Sequence, residues 1–321
     1  MTIDFSYDPE LQEIAQRLQS PDGEIRRIAV LALADFDGDE HAQLFIDALR
    51  DPVSAVRLEA AKALEAFESD AGVAGLITAL SDTDAAVRAT AAQSLSDLKN
   101  PSSAQLLLPH LSHPQAFVRV ALLRALRELR VAASFSPALA ALADADPAIR
   151  REAIAVLGYL KHTDALPALT QLASADPEPE VRRAAIGALG FASGDSVLPA
   201  LLAGLHDASW QVREEAATTI GKLGLHAAAV ELIDALHDAY WQVRLRAARS
   251  LGRLRTALAL PALIETLRHE ISNLRKEAAL ALGEIRLPAA LPALETAQHD
   301  PDPEVRKAAR LALEQIHIAN A

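Results

Sequence analysis

Residues 207–223 read DASWQVREEAATTIGKL, and residues 238–254 read DAYWQVRLRAARSLGRL. The two stretches lie 31 residues apart and keep Asp, Trp, Gln, Val, Arg, the Ala pair, Gly and Leu in matching places. Working outward, an apolar residue followed by Arg recurs at Arg26, Arg57, Arg88, Arg119, Arg150, Arg182, Arg213, Arg244, Arg275 and Arg306. Each step is 31 residues, except for 32 between Arg150 and Arg182. Three residues after each Arg comes Ala, with Leu122 the exception, and seven after comes Leu, with Ile220 the exception. Six residues before it stands Asp51, Asp82, Asp144, Asp176, Asp207, Asp238 or Asp300, with Ser20, His113 and His269 in the other three units. Self-similarity on one fixed period of this length is the mark of a stacked repeat array.

Each unit reads as two helices. Around the Arg, apolar residues fall at offsets −1, +3, +7 and +10, as in Val243, Ala247, Leu251 and Leu254. That spacing is close to 3.6 and lays one buried stripe along a helix. The first helix is typified by LPALLAGL (198–205) and LPALIETL (260–267), with Pro199, Pro261 and Pro292 near its start, where a missing N–H costs little. Asp39, Asp70, Thr163 and Asp195 are the expected N-caps. Lys99, Arg130, Lys161, Arg255 and Arg286 share offset +11, where a cation opposes the negative end of the second helix. A lone helix pair cannot bury its apolar face, so neighbouring units must stack. At ~10 Å per layer, ten units predict a curved rod of roughly 100 Å with no internal boundary over residues 1–321. Residues 1–20 are expected to supply the N-terminal cap and first helix. Residues 307–321 are expected to close the far end, with Arg310, Glu314 and Gln315 as polar cover.

Composition narrows the function. The chain has no cysteine, which removes disulfides, thiolate metal sites and a Cys nucleophile. The opening MTIDFSYDPE has neither the basic nor the apolar region of a signal peptide, and no apolar run reaches the ~18 residues of a membrane span. A cytoplasmic protein without membrane contact is therefore expected. The net charge of −12 disfavours nucleic acid as a partner. Acids concentrate early: residues 1–100 hold 19 acids and 8 bases. The stretch DFDGDE (35–40) does not match an EF-hand loop and suits solubility or steering better than Ca²⁺ binding.

The pattern D-P-x-x-x-V-R-x-x-A-x-x-A-L-G resembles HEAT repeats, in the short form of phycobilin lyase subunits and phycobilisome-degradation proteins. DPAIRREAIAVLG (146–158) and DPEVRKAARLAL (302–313) carry it best. The likeness spans nearly the whole chain. It implies an all-α fold: a right-handed α-solenoid of about ten stacked helix pairs whose second helices line the concave face. It also implies that the Asp and Arg columns form hydrogen-bonded ladders rather than acid–base pairs. The family pattern has Gly at offset +8. Gly158, Gly190, Gly221, Gly252 and Gly283 match, whereas Ala34, Glu65, Ser96, Arg127 and Glu314 depart from it.

No catalytic constellation emerges. His206, His237 and His299 share offset −7, but units ~10 Å apart cannot bring them to one Zn²⁺. They read as helix-end histidines. His269–Glu270 is similar to the His–Glu dipeptides of HEAT-like deoxyhypusine hydroxylases, whose di-iron site needs several, and this chain has one. Pro101–Ser103 lacks a paired His, and no Gly loop cradles a phosphate.

Irregular residues at regular positions say more. Both tryptophans, Trp210 and Trp241, occupy offset −3 in adjacent units, and Tyr240 precedes the second. Aromatic residues at a turn edge are preferred interface anchors. At offsets +2, +5 and +9 the second helices present Tyr159 in unit five, Phe191 in unit six, and Glu215 and Lys222 in unit seven. Unit eight presents Arg246, Arg249 and Arg253, and unit nine presents Glu277, Leu280 and Glu284. Three arginines on one face suit an acidic group, unless Glu215 and Glu277 pair with them. A smaller basic group is Arg119, Arg124, Arg127 and Arg130. These residues predict a non-catalytic scaffold, adaptor or maturation factor without a cofactor. It would grip a protein partner through Tyr159, Phe191, Trp210, Lys222, Tyr240, Trp241, Arg246, Arg249 and Arg253. The alternative implied by the resemblance is a bilin lyase-like or chromophore-handling subunit, with Tyr159 and Phe191 on a tetrapyrrole and the arginines on its propionates. Nucleic-acid binding, as in HEAT-like glycosylases, ranks third.

Overall fold

The computed structural model describes residues 9–36 and 41–320, and among these every regular element is helical. The first helices of the pairs are Pro9–Arg17, Ala42–Ala48, Asp70–Ala79, Ala104–Leu107, Phe135–Ala141, Leu166–Ala175, Leu198–Leu205, Ala229–Asp234, Leu260–Thr266 and Leu291–Ala297. The second helices are Gly23–Leu33, Ser54–Ala63, Ala85–Ser96, Ala116–Leu129, Pro147–Leu160, Pro179–Ala188, Trp210–Leu223, Trp241–Leu254, Ser272–Ile285 and Pro303–Asn320. The chain divides into two compact units, Met1–Leu160 and Lys161–Ala321, with five helix pairs in each. Within each unit a second helix packs on its own first helix and on the second helix of the next repeat. This is the all-α solenoid architecture that the 31-residue period demands.

The apolar stripe is the core. Val243, Ala247, Leu251 and Leu254 are fully buried, as are their counterparts Val56, Ala60 and Leu64 in repeat two. Each such Leu or Val contributes about 1.5–3 kcal/mol on leaving water. The glycine at offset +8 has a steric reason. A Cβ built on Gly221, Gly252 or Gly283 would lie 2.8 Å from the Cα of Ser250, Ala281 or Ala312 in the next second helix. Backbones meet there with no room for a side chain. Beside these crossings Ser250 Oγ donates to the Ala217 carbonyl at 2.7 Å, and Ser94 Oγ donates to Ala61 at 3.1 Å. The second helices bearing Gly221, Gly252 and Gly283 make more extensive contact with their successors than do the second helices of repeats one to four.

Several terminal positions differ from expectation. The second helices begin three residues ahead of the Arg column, so offset −3 is their first residue. Asp70, Thr163 and Asp195 are not N-caps but the first residues of their helical turns. The cap is one residue earlier because acceptance from the second or third N–H requires it. Ser69 Oγ accepts from Gly72, and His162 Nδ1 accepts from Asp164. Gly194 precedes Asp195 with φ +72°. Asp39, residues 1–8 of the proposed cap and most of the 35–40 acidic stretch lie outside the described residues.

At offset +11, Arg130, Lys161, Arg255 and Arg286 do not continue the helix. All four take the left-handed conformation, φ between 48° and 60°, and end it there. The Arg130 N–H still reaches Leu126 O at 3.1 Å. Repeat seven uses Gly224 at the same offset, the residue that ordinarily fills such a cap. Lys99, expected at a helix end, lies beyond one that closes at Ser96 with Asp97 as its C-cap. Its N–H and that of Asn100 both donate to the Glu68 carboxylate, each at 2.6 Å.

Candidate functional site

The Arg column builds the edge where first and second helices meet. Arg213 donates from Nε and Nη2 to both oxygens of Asp238, at 2.6 and 2.9 Å, and from Nη1 to the carbonyls of Asp207 and Ala208. Each rung thus fastens a turn to itself and to the next repeat. Arg26–Asp51, Arg57–Asp82, Arg182–Asp207 and Arg275–Asp300 repeat the geometry at 2.6–2.7 Å, while Arg119–Asp144 is looser at 3.2 Å. The aspartates also accept the N–H two residues on, as Asp207 does from Ser209 at 2.8 Å. Arg57 and Arg275 hold the Asp82 and Asp300 carboxyls below their usual range. For Asp207 and Asp238, burial pushes upward, but Arg182 and Arg213 outweigh it. Carboxylates so fully bonded tie the stack together and are poor proton carriers.

Two rungs are missing for a chemical reason. His113 and His269 replace the Asp, and each Nδ1 accepts the N–H two residues on, at 3.2 and 3.0 Å. The turn is kept. Among the described residues, Arg88 and Arg244 are left without an opposing carboxylate at that position.

The face at offsets +2, +5 and +9 is largely cross-linked. Arg249 donates to both oxygens of Glu277, which is buried, at 2.8 Å each. Arg246 reaches Glu214, not Glu215, at 3.0 Å. In repeats four and five Arg124 and Arg127 converge on buried Glu152. Glu215 lies over Gly187 and Lys222 over Gly190, contacts that any Cβ at those glycines would crowd. Burial, reinforced by Glu214, raises the Glu215 pKa against Arg183, Arg246 and Lys222. Of Arg246, Arg249 and Arg253, only Arg253 is exposed, and no ion pair forms on it among the described residues.

The aromatic residues sit where offsets −3 and −4 meet between repeats. The Trp210 indole stacks on Tyr240, centroids 5.5 Å apart, and the Arg213 guanidinium lies 5.6 Å from the Tyr240 ring centre. Tyr240 is 46% exposed and Trp241 is 38% exposed. Phe191 is half-buried in the turn that ends the second helix of repeat six. Tyr159 belongs to the first unit, and one face of its ring is covered by Arg130 at 4.8 Å. His206, His237 and His299 are exposed at the ends of first helices, and among the described residues no group of three acids or histidines could hold a metal.

A family model described as HEAT repeats matches residues 11–77, 65–127, 135–221, 176–239 and 229–314. The chain belongs to the HEAT repeat family. No curated protein matches it. Among solved structures, the HEAT array is similar to an engineered protein at 20% identity, TM-score 0.53, over 96% of this chain and 99% of that one. It is similar to YibA of E. coli at 20% identity, TM-score 0.62, over 84% and 98%. It is also similar to yeast importin-beta (Kap95p) in its complex with Nup1, at 16% identity and TM-score 0.66. That match takes 98% of this chain and 52% of the importin. Likeness at these identities establishes the fold.

Within the HEAT frame the sequence singled out the aromatic pair and the arginines of repeat eight. It left open whether Glu215 and Glu277 pair with these arginines, since Arg249 at offset +5 reaches Glu277 at +2, and Arg246 at +2 reaches Glu214 at +1, only across a stack whose rotation the period leaves open. It also missed Arg244, whose signal was present as His269 at the Asp position.

Proposed function

We propose that this HEAT protein is a non-catalytic scaffold, an adaptor or maturation factor that holds a protein partner on repeats seven to nine. The observation that carries this reading is the aromatic edge. Tyr240 and Trp241 stand exposed at a turn where the other repeats carry mostly small or polar residues, and Trp210 stacks behind Tyr240. Large, stiff aromatic rings at such an edge lose little side-chain entropy on binding. Arg253 offers an unengaged guanidinium on the same helix as Trp241, and a carboxylate of the partner matches it. Lys222 and Phe191 flank the surface, while Arg246 and Arg249 hold its floor rigid through Glu214 and Glu277.

The bilin-handling alternative has weaker support. Arg246 and Arg249 are engaged by carboxylates, and Arg130 covers a face of Tyr159. No described helix is long and apolar enough to cross a membrane.

The test is capture from the native cell extract with mass spectrometry, comparing the parent chain with Trp241→Ala/Arg253→Glu, a variant that leaves the Trp210–Tyr240 stack in place. Loss of a captured protein in a variant with unchanged helical circular dichroism supports the reading. Undiminished capture moves the site off repeats seven to nine. A bound pigment in place of a protein favours the chromophore reading.

A further inference from the structure

Of the ten column arginines, Arg244 alone makes no side-chain hydrogen bond among the described residues. The others with a turn to clamp do so through Nη1, as Arg213 does on Asp207 O and Arg275 does on His269 O at 2.9 Å. The carboxylate that should face Arg244 is replaced by His269, whose Nδ1 is committed to the Ile271 N–H. Arg244 Nε is nevertheless buried and has no partner. Two further buried atoms of the same repeat are also unsatisfied, Gln242 Oε1 and Glu231 Oε2. A buried donor without an acceptor costs about 1–3 kcal/mol, more when charged, so such a group is ordinarily matched.

Arg244 lines a cleft of about 490 Å³, together with His237, Glu265, Arg268 and His269. Asp238, the nearest carboxylate on the preceding turn, is already gripped by Arg213. The clefts beside Arg57 and Arg213 contain the aspartates that complete their rungs, Asp82 and Asp238. The Arg244 cleft is the same groove with its internal carboxylate removed and a second guanidinium, Arg268, at its wall. Trp241 lies three residues before Arg244, on the same side of one helix.

We propose that the Arg244 cleft is a carboxylate-binding site. An external carboxylate takes the place that Asp occupies in the complete rungs and accepts a forked pair of bonds from Nε and Nη2 of Arg244. Arg268 completes the cationic wall beside His237, and Glu265 limits the site to one anion. The two sources of such a group are the acidic side chain of a protein segment and a free dicarboxylate. The inference stands on residues other than those tested for partner capture, so either can fail without the other.

The experiment follows the Arg Nε–Hε signals of the full ¹⁵N-labelled chain during titration with glutarate at constant ionic strength. The Arg244 signal is assigned by its absence in Arg244→Lys, a change that breaks no internal bond. The expected result is a saturable shift of that signal. In His269→Asp the internal carboxylate closes the rung, and the shift is lost. An Arg244 signal that stays still with glutarate, or that shifts as strongly in His269→Asp as in the parent, overturns the proposal. Acetyl-Leu-Glu-Leu-amide then separates the sources. Half-saturation about tenfold below glutarate, some 1.4 kcal/mol, assigns the site to a protein segment, and equal half-saturation assigns it to a free dicarboxylate.

Discussion

The indole of Trp210 lies on the phenol ring of Tyr240 with the planes 14° from parallel. One residue comes from the second helix of repeat seven and the other from the turn of repeat eight, so the stack fastens two repeats. A double-mutant cycle with Trp210→Ala and Tyr240→Ala is expected to give a coupling of about 0.5–1.5 kcal/mol in urea unfolding. Trp241→Ala alone should change stability by no more than about 0.5 kcal/mol, as at an ordinary surface position. Equal losses for Trp241→Ala and Trp210→Ala would show that the two rings are equally structural.

The Arg–Asp rungs predict a graded series. Asp238→Asn removes the two-point acceptor of a mostly buried guanidinium and is expected to cost about 1.5–3 kcal/mol. Asp144→Asn breaks the looser rung to Arg119 and should cost less. Thermal melts of the two variants check the order, and the reverse order contradicts the geometry.

Acid should weaken the fold through these same groups. The Asp82 and Asp300 pKa values lie below the unfolded value, so their stabilisation is full above about pH 4 and drains away as pH falls through the folded values. Glu215 runs the other way. Its pKa is raised by burial, so its contribution is full below about pH 4.3 and is lost as pH rises through the folded value. Glu215→Gln is therefore expected to melt higher than the parent at neutral pH, with the gap closing toward pH 4. Circular dichroism melts across that range measure it, and a gap that widens on acidification contradicts the burial argument.

Glycine has opposite signs at two neighbouring positions. Gly252→Ala puts a methyl group 2.8 Å from the Cα of Ala281 and should cost about 1–3 kcal/mol, even though alanine is the better helix former. Arg255→Gly relieves a left-handed residue at φ 48° and should gain roughly 0.5–1 kcal/mol after the added freedom of the unfolded chain. Urea midpoints of the two variants should move in opposite directions.

The period and the stripe were legible in the sequence because every repeat votes on the same positions. The columns at offsets 0 and −6 fall on opposite ends of real rungs, and the gaps at His113 and His269 were visible as departures. Side-chain traffic between repeats was not legible. Whether Arg249 faces solvent or Glu277 depends on the rotation of one helix against the next, which a single-helix pattern does not encode. Caps slipped by one residue for a similar reason: Ser69 and Asp70 are both good capping residues, and only the direction of the Gly72 N–H distinguishes them. The left-handed ends at Arg130, Lys161, Arg255 and Arg286 ran against residue preference, since the position favours glycine.

The missing rungs also bear on how the stack yields. In a chain of repeats that touch only their neighbours, each junction opens on its own account. The junctions after Arg88 and Arg244 lack the edge rung that clamps the other junctions within each unit, and although the Arg249–Glu277 pair still ties repeat eight to repeat nine, the turn edges there are left compliant. Within each unit, amide exchange at the helix-pair turns should be fastest beside Arg88 and Arg244. A carboxylate seated on Arg244 would then act as a splint.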